Sequence, residues 1–284
     1  MTFMKSGRKN RGAKLGQHFL TGLWAAHTLA EAVNVRPGET ILEIGPGKGA
    51  LTRELIATGA RVVAVEKDPT LVLGLRETFK RELASQQFEL IERDVRDFAP
   101  QSSKLEAGSY VLAANIPYYI TGEIIRQFLE TDVQPRSMAL LVQKEVADRI
   151  MGKATGNRQQ AKESILSLSV KAYGTPKIVA KVSRGNFSPP PSVDSAILLV
   201  GDISKKFFDD LDEKIFFKVV KAGFASKRKF LASNLSAVFG KEAVLHAFET
   251  CDMSPKIRAE DVPLEKWRAL SKTLSSFTGS TPSL

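Results

Sequence analysis

A chain of 284 residues that is 43% hydrophobic can bury a sizeable core and has room for one large domain and a smaller one, which excludes a disordered or fibrous protein. Its one cysteine, Cys251, excludes an internal disulfide, its three scattered histidines (His18, His27, His246) lack metal-ligand spacing, and no run of about 18 apolar residues is present to cross a membrane. The formal charge of +10 gathers at the ends: residues 1–36 carry six Lys/Arg against one acid, 37–203 carry 21 against 20, and 204–284 carry 14 against 10. A near-neutral body between basic flanks suits a phosphate-bearing partner, a nucleic acid; a basic surface serving only solubility is the competing reading. No metal, no membrane and a cytoplasmic setting are expected.

In chain order, residues 1–20 are basic but lack the apolar stretch of a secretory signal, and 1–14 lack the amphipathic pattern of a transit peptide. A helix is predicted over 23–34, closed by Arg36-Pro37-Gly38. β-rich runs follow at 40–45, 61–66, 88–94, 110–115 and 137–143, with helical stretches at 50–58, 70–85 and 122–131 between them. Strands alternating with helices predict an α/β fold, a mostly parallel sheet covered on both faces. Two later runs, 177–182 and 196–200, flank a proline-rich loop and predict an antiparallel pair at the sheet edge. From about 207 the pattern turns helical (212–225, 228–239, 243–250, 264–277), giving a small all-helical C-terminal domain with a frayed tail at 278–284. The expected division is a basic arm and helix at 1–36, a catalytic domain at 37–203 and the helical domain at 204–284.

The first strand of the body runs into Glu43-Ile44-Gly45-Pro46-Gly47-Lys48-Gly49 and then a helix. Glycines at such a turn let backbone approach a nucleotide-like ligand, although the G-x-G-x-G spacing is neither the dinucleotide fingerprint nor a P-loop. Glu66 ends the second strand, placed to accept hydrogen bonds from ribose hydroxyls, and Asp94 ends the third, within reach of a cofactor's adenine amino group. Glu43 either holds a ligand ammonium or braces the loop. The fourth strand runs into Asn115-Ile116-Pro117-Tyr118. The amino nitrogen N6 of adenine is a poor nucleophile because its lone pair is delocalised, so acceptors that localise it are needed: the Asn115 side-chain oxygen and the Pro117 carbonyl, with Tyr118 stacked on a flipped base.

These segments, with Gly16-Gln17-His18-Phe19-Leu20 and Phe187-Ser188-Pro189-Pro190-Pro191-Ser192-Val193-Asp194-Ser195, resemble the rRNA adenine N6,N6-dimethyltransferase family over nearly the whole chain. The resemblance implies a Rossmann-like S-adenosylmethionine-dependent methyltransferase domain, with His18, Leu20, Gly45, Glu66, Asp94 and Asn115 lining the cofactor site and Phe187 closing on the target base opposite Tyr118. Residues 223–235 and Arg258-Ala259-Glu260 resemble the small-subunit branch, which dimethylates two adjacent adenines in the 3′-terminal hairpin of small-subunit rRNA. That implies small-subunit rRNA or a pre-30S particle as partner, and action as a monomer. The large-subunit, macrolide-resistance branch and a non-catalytic RNA-binding assembly or transcription factor on the same fold are the alternatives. A DNA or free-nucleotide methyltransferase fits the basic flanks less well. Tyr119 departs from the family, which often has a smaller polar residue there, and bears on how the target base or its neighbour is held. Lys227-Arg228-Lys229 either follow a phosphate backbone or form a solvated helix start.

Overall fold

The computed structural model describes residues 18–152 and 162–278. Most of the basic arm, Gly16, Gln17 and the tail beyond 278 therefore lie outside the described residues. The elements run β1 (Phe19–Leu20), α1 (Leu23–Val33), β2 (Thr40–Ile44), α2 (Ala50–Ala57), β3 (Arg61–Glu66), α3 (Pro69–Thr78), α4 (Lys80–Ala84), β4 (Phe88–Glu92) and β5 (Tyr110–Asn115). They continue with α5 (Thr121–Glu130), β6 (Ser137–Gln143), α6 (Lys144–Met151), α7 (Ile165–Tyr173), β7 (Thr175–Val182), β8 (Phe187–Ser188) and β9 (Ser195–Gly201). Four helices close the chain: α8 (Glu213–Gly223), α9 (Leu231–Phe239), α10 (Lys241–Thr250) and α11 (Leu264–Thr278).

Seven strands form one sheet in the order β4-β3-β2-β5-β6-β9-β7, parallel from β4 to β6, with β9 antiparallel to both its neighbours. The central runs are apolar and buried because helices cover both faces. Leu42, Ile44, Leu112 and Leu140 face α5, α6 and α7; Ile41, Val111 and Ala139 face α1 and α2. The first cluster continues without a break into Val220, Leu231 and Trp267, so the C-terminal helices share their core with one face of the sheet. Gly223 makes that possible: a Cβ there would collide with the Trp267 ring.

Three boundaries depart from the sequence expectation. The helix expected over 70–85 is two helices, broken at Phe79, whose ring is buried edge-on against Phe88 at 5.4 Å. Burying that ring outweighs one continuous helix. The strand expected to reach Asp94 ends at Glu92, because the Asp94 carboxylate accepts the Arg96 N–H and starts a 3-10 turn over Val95–Asp97. The helix expected from 228 begins at Leu231, since Lys227–Lys229 lie in a turn closed by Lys229 N–H to the Ser226 carbonyl.

Candidate active site and its nucleic-acid face

The strand order reverses between β2 and β5, and in an open α/β sheet a crevice forms beyond the carboxyl ends of the strands at such a point. A cavity lies there. It is lined by His18, Phe19 and Leu20 of the β1 segment, by Ile44 to Lys48 after β2, by Val65 to Lys67, by Arg93 to Arg96, and by Asn115 to Ile120. Six expected cofactor contacts, His18, Leu20, Gly45, Glu66, Asp94 and Asn115, thus line one cavity.

Gly45, Gly47 and Gly49 all adopt positive φ (67°, 59° and 82°), which side chains rarely tolerate. A Cβ on Gly47 would press on the Phe19 ring at 3.2 Å, so β1 lies against the loop. Glu66 is buried and already accepts three main-chain N–H groups, from Gly47 (3.2 Å), Lys67 (2.9 Å) and Asp68 (3.0 Å). A carboxylate has about four lone-pair positions, so one on Oε2 is left for a ligand hydroxyl. The sequence did not reveal that Glu66 also pins the glycine loop.

Asp94 is held by Arg96, with Oδ1 accepting Nε at 3.0 Å and Oδ2 accepting Nη2 at 2.6 Å, and this guanidinium holds its carboxyl down at about 2. Arg96, also lining the cavity, was not singled out from sequence; a cation two residues beyond the acid was the available signal. Glu43 lies outside the cavity lining. It is buried on the α2 side of β2, where among the described residues neither of its oxygens nor the Thr52 hydroxyl beside it has a partner within hydrogen-bonding geometry, and burial pushes its carboxyl up to about 8.

Asn115 closes β5 with its Nδ2 donating to the His18 carbonyl at 3.2 Å. Among the described residues its Oδ1 has no hydrogen-bond donor, so both of its lone pairs are open to a ligand. The His18 ring donates from Nδ1 to the Pro189 carbonyl at 2.8 Å, so β1 is tied to the proline loop as well as to Asn115. The Pro117 carbonyl accepts the Ile120 N–H at 3.1 Å, whereas the Ile116 carbonyl closes no turn and is the less committed acceptor. Tyr118 is half-buried; its hydroxyl is 2.8 Å from Ser195 Oγ at the start of β9, its ring centroid is 5.7 Å from that of His18, and burial raises its phenol above the ordinary range. Ser195 is a partner that sequence reasoning missed, since 77 residues separate the two. Phe187 is 4% exposed, pairs with Leu20 in the β1–β8 ladder and lies outside the cavity lining, packed in the apolar cluster.

A second, wider cleft lies where α5 and α6 meet the C-terminal helices. Arg126, Arg149, Lys227, Lys229 and Arg258 line it, and among the described residues Arg149, Lys227, Lys229 and Arg258 have no carboxylate partner. Lys162 in the same wall is neutralised by Glu260 and Asp261 at 2.6 and 2.8 Å. Among the described residues no helix is long and apolar enough to cross a membrane, and no cluster of His, Cys, Asp and Glu could hold a metal ion.

The family model for ribosomal RNA adenine dimethylases matches residues 8–276. The chain belongs to that family. Among its dimethylase relatives, a protein of Dehalococcoides mccartyi named ribosomal RNA small subunit methyltransferase A is 39% identical over 90% of this chain and 86% of the relative. One of the same name from Thermosynechococcus vestitus is 37% identical over 92% and 96%. The crystal structure of the 23S rRNA methyltransferase ErmE aligns with TM-score 0.69 at 26% identity, covering 90% of this chain and 99% of that one. The fold alone is shared with a dimethyladenosine transferase from Plasmodium falciparum, TM-score 0.74 at 23% identity, over 89% of this chain and 96% of that one. This dimethylase thus has the α/β methyltransferase fold with a helical C-terminal part.

Proposed function

We propose that the chain is an S-adenosylmethionine-dependent enzyme that dimethylates N6 of two adjacent adenines in the 3′-terminal hairpin of small-subunit rRNA, in the cytoplasm, during ribosome assembly. The observation that carries the chemistry is the Asn115 amide on the cavity wall, held through its nitrogen by the His18 carbonyl, which leaves its oxygen as the acceptor. The residues present fit the cofactor: a glycine turn against a cavity wall, a carboxylate with one free lone pair for a ribose hydroxyl, and apolar neighbours Ile44, Val65 and Val95 for a purine. His18, Leu20, Gly45, Glu66, Asp94 and Asn115 would hold it. Bound S-adenosylmethionine supplies an electrophilic methyl group.

The protein's own task is then to make N6 nucleophilic and to aim it. Asn115 Oδ1 accepts a hydrogen bond from one N6–H and a main-chain carbonyl, Ile116 or Pro117, accepts one from the other, drawing the lone pair out of ring conjugation; the one proton that N6 gives up on gaining a methyl group leaves to water. Tyr118 supplies the face on which the extruded base stacks, its tilt fixed from behind by Ser195. Phe187, assigned by the family resemblance to the opposite side of the base, is packed against Leu20 in the apolar cluster, where it anchors the loop. Residues 37–203, with His18 and Leu20 of the N-terminal segment, carry this chemistry, and the basic flanks at the two ends of the chain hold the RNA, in a particle such as the pre-30S subunit, with the protein acting as a monomer. The small-subunit reading is supported by relatives bearing the small-subunit name that are 39% and 37% identical to this chain over most of their length. Mass spectrometry of rRNA from cells with and without the protein tests it. Loss of dimethyladenosine from the small-subunit 3′ hairpin is expected; loss confined to large-subunit rRNA, or no loss, overturns it.

A further inference from the structure

Next to Tyr118, whose ring turns inward toward Ser195, Tyr119 turns the other way. It is 63% exposed at the rim of the cavity, and among the described residues its side chain has no hydrogen bond or ring partner. An aromatic ring so exposed and unsupported contributes nothing to the core. Its backbone is nevertheless fixed, because it sits within a 3-10 turn over Tyr118–Ile120, closed by the Ile120 N–H to the Pro117 carbonyl.

The position of that turn gives the ring a use. It leads directly into α5, whose first turns carry Gly122 and Arg126 on the wall of the basic cleft with Arg149, Lys227, Lys229 and Arg258. Seven residues of mostly helical chain separate Tyr119 from Arg126, an axial rise of about 10 Å. That is one to two nucleotides of an extended single strand. An RNA whose phosphates lie in the cleft and whose adenine enters the cavity must cross Tyr119, and a base beside the target has a flat ring waiting for it.

We propose that Tyr119 is a stacking platform for the unpaired purine adjacent to the target adenine, and that it is a specificity-determining residue for substrates in which two purines adjoin. The inference rests on the RNA reading given above. With two adjacent target adenines, the one not in the cavity lies on Tyr119, so each holds the RNA in register while the other is modified. A stacked base supplies affinity without touching the reacting atoms, so its loss is read in KM and not in kcat.

The test uses the full chain and small-subunit particles whose rRNA 3′ hairpin is intact or carries an abasic site beside the target adenine. Wild type, Tyr119→Ala and Tyr119→Phe are compared for KM, kcat and S-adenosylmethionine affinity. Tyr119→Ala is expected to raise KM for intact RNA by about five- to a hundredfold at nearly unchanged kcat and cofactor affinity. Tyr119→Phe should behave as wild type, and on the abasic RNA the wild type should fall to the level of Tyr119→Ala. A Tyr119→Ala KM within twofold of wild type, or a deficit that persists undiminished on abasic RNA, overturns the inference while leaving the enzyme reading intact. A wild-type protein that methylates no adenine overturns both.

Discussion

Replacing Asn115 by Ala removes an acceptor needed only as charge shifts onto the methyl donor's target, and the site offers nothing to take its place. Single-turnover transfer should fall by about 10² to 10³ with RNA affinity little changed, and a folded Asn115→Ala protein that transfers at the wild-type rate would refute the assignment. Tyr118 is subtler. From sequence its ring alone had a role, but the bond from its hydroxyl to Ser195 means that Tyr118→Phe also loses an anchor worth about 1 kcal/mol. Tyr118→Phe should therefore fall between wild type and Tyr118→Ala in rate, and Ser195→Ala should match Tyr118→Phe; a Ser195→Ala enzyme of full activity would show that the anchor is idle. Glu66 likewise has two tasks. Glu66→Gln keeps the shape but gives up charge-assisted bonds from three N–H groups, so calorimetry should find S-adenosylmethionine binding weakened by roughly 2 to 4 kcal/mol in both Glu66→Gln and Glu66→Ala. The residue types and their spacing were legible in the sequence; which hydrogen bonds they already make at home was not, because the partners are distant in the chain.

At the level of elements, buried central strands were the most legible feature. β3, β5 and β6 fall where their runs of Val, Ala, Leu and Ile placed them, since a strand covered on both faces is apolar throughout. The break at Phe79 was not legible, because the residues on either side are good helix formers and only the tertiary contact with Phe88 explains the interruption. Nor was the turn at Lys227–Lys229, where the basic run reads equally well as the first turn of a helix. Its actual geometry favours the phosphate reading: the three cations are exposed, two of them face the cleft, and none is paired with an acid. Replacing all three by Gln should reduce RNA affinity and lower the slope of log K against log salt by about 0.7 to 0.9 for each phosphate no longer neutralised, leaving cofactor affinity unchanged. An unaltered slope would place the RNA elsewhere.

Taken as a whole, the molecule buries an ionisable group with no cation beside it among the described residues, and this makes its stability depend on pH. The Glu43 carboxyl titrates near 4.5 in an unfolded chain and about 8 in the folded one, so across that interval the native state holds a proton that the unfolded state has lost. Stability is then greatest below the lower value and declines as pH rises toward 8, by roughly 1.4 kcal/mol per unit and at most about 5 in all. Urea unfolding at pH 5.5 and 8.5 should show that decline in wild type and a much flatter profile in Glu43→Gln; parallel profiles would mean that the carboxylate is ionised in the native state. Helices follow the last strand of the sheet, and the apolar cluster runs from the sheet into them, so a fragment ending at residue 203 would expose the surface against which Val220, Leu231 and Trp267 pack. The ties around Asn115 also impose an order of assembly. His18 is fastened to Pro189, 171 residues further on, and Tyr118 to Ser195. A nascent chain emerging from the exit tunnel can form β2, β3 and β5 early, and β1 can then lie against the glycine loop and Asn115, yet it lacks its ties to β8 and Pro189 until those residues have been made. The full set of ties around Asn115 is thus closed late in the synthesis of this protein, once about two-thirds of the chain has left the ribosome.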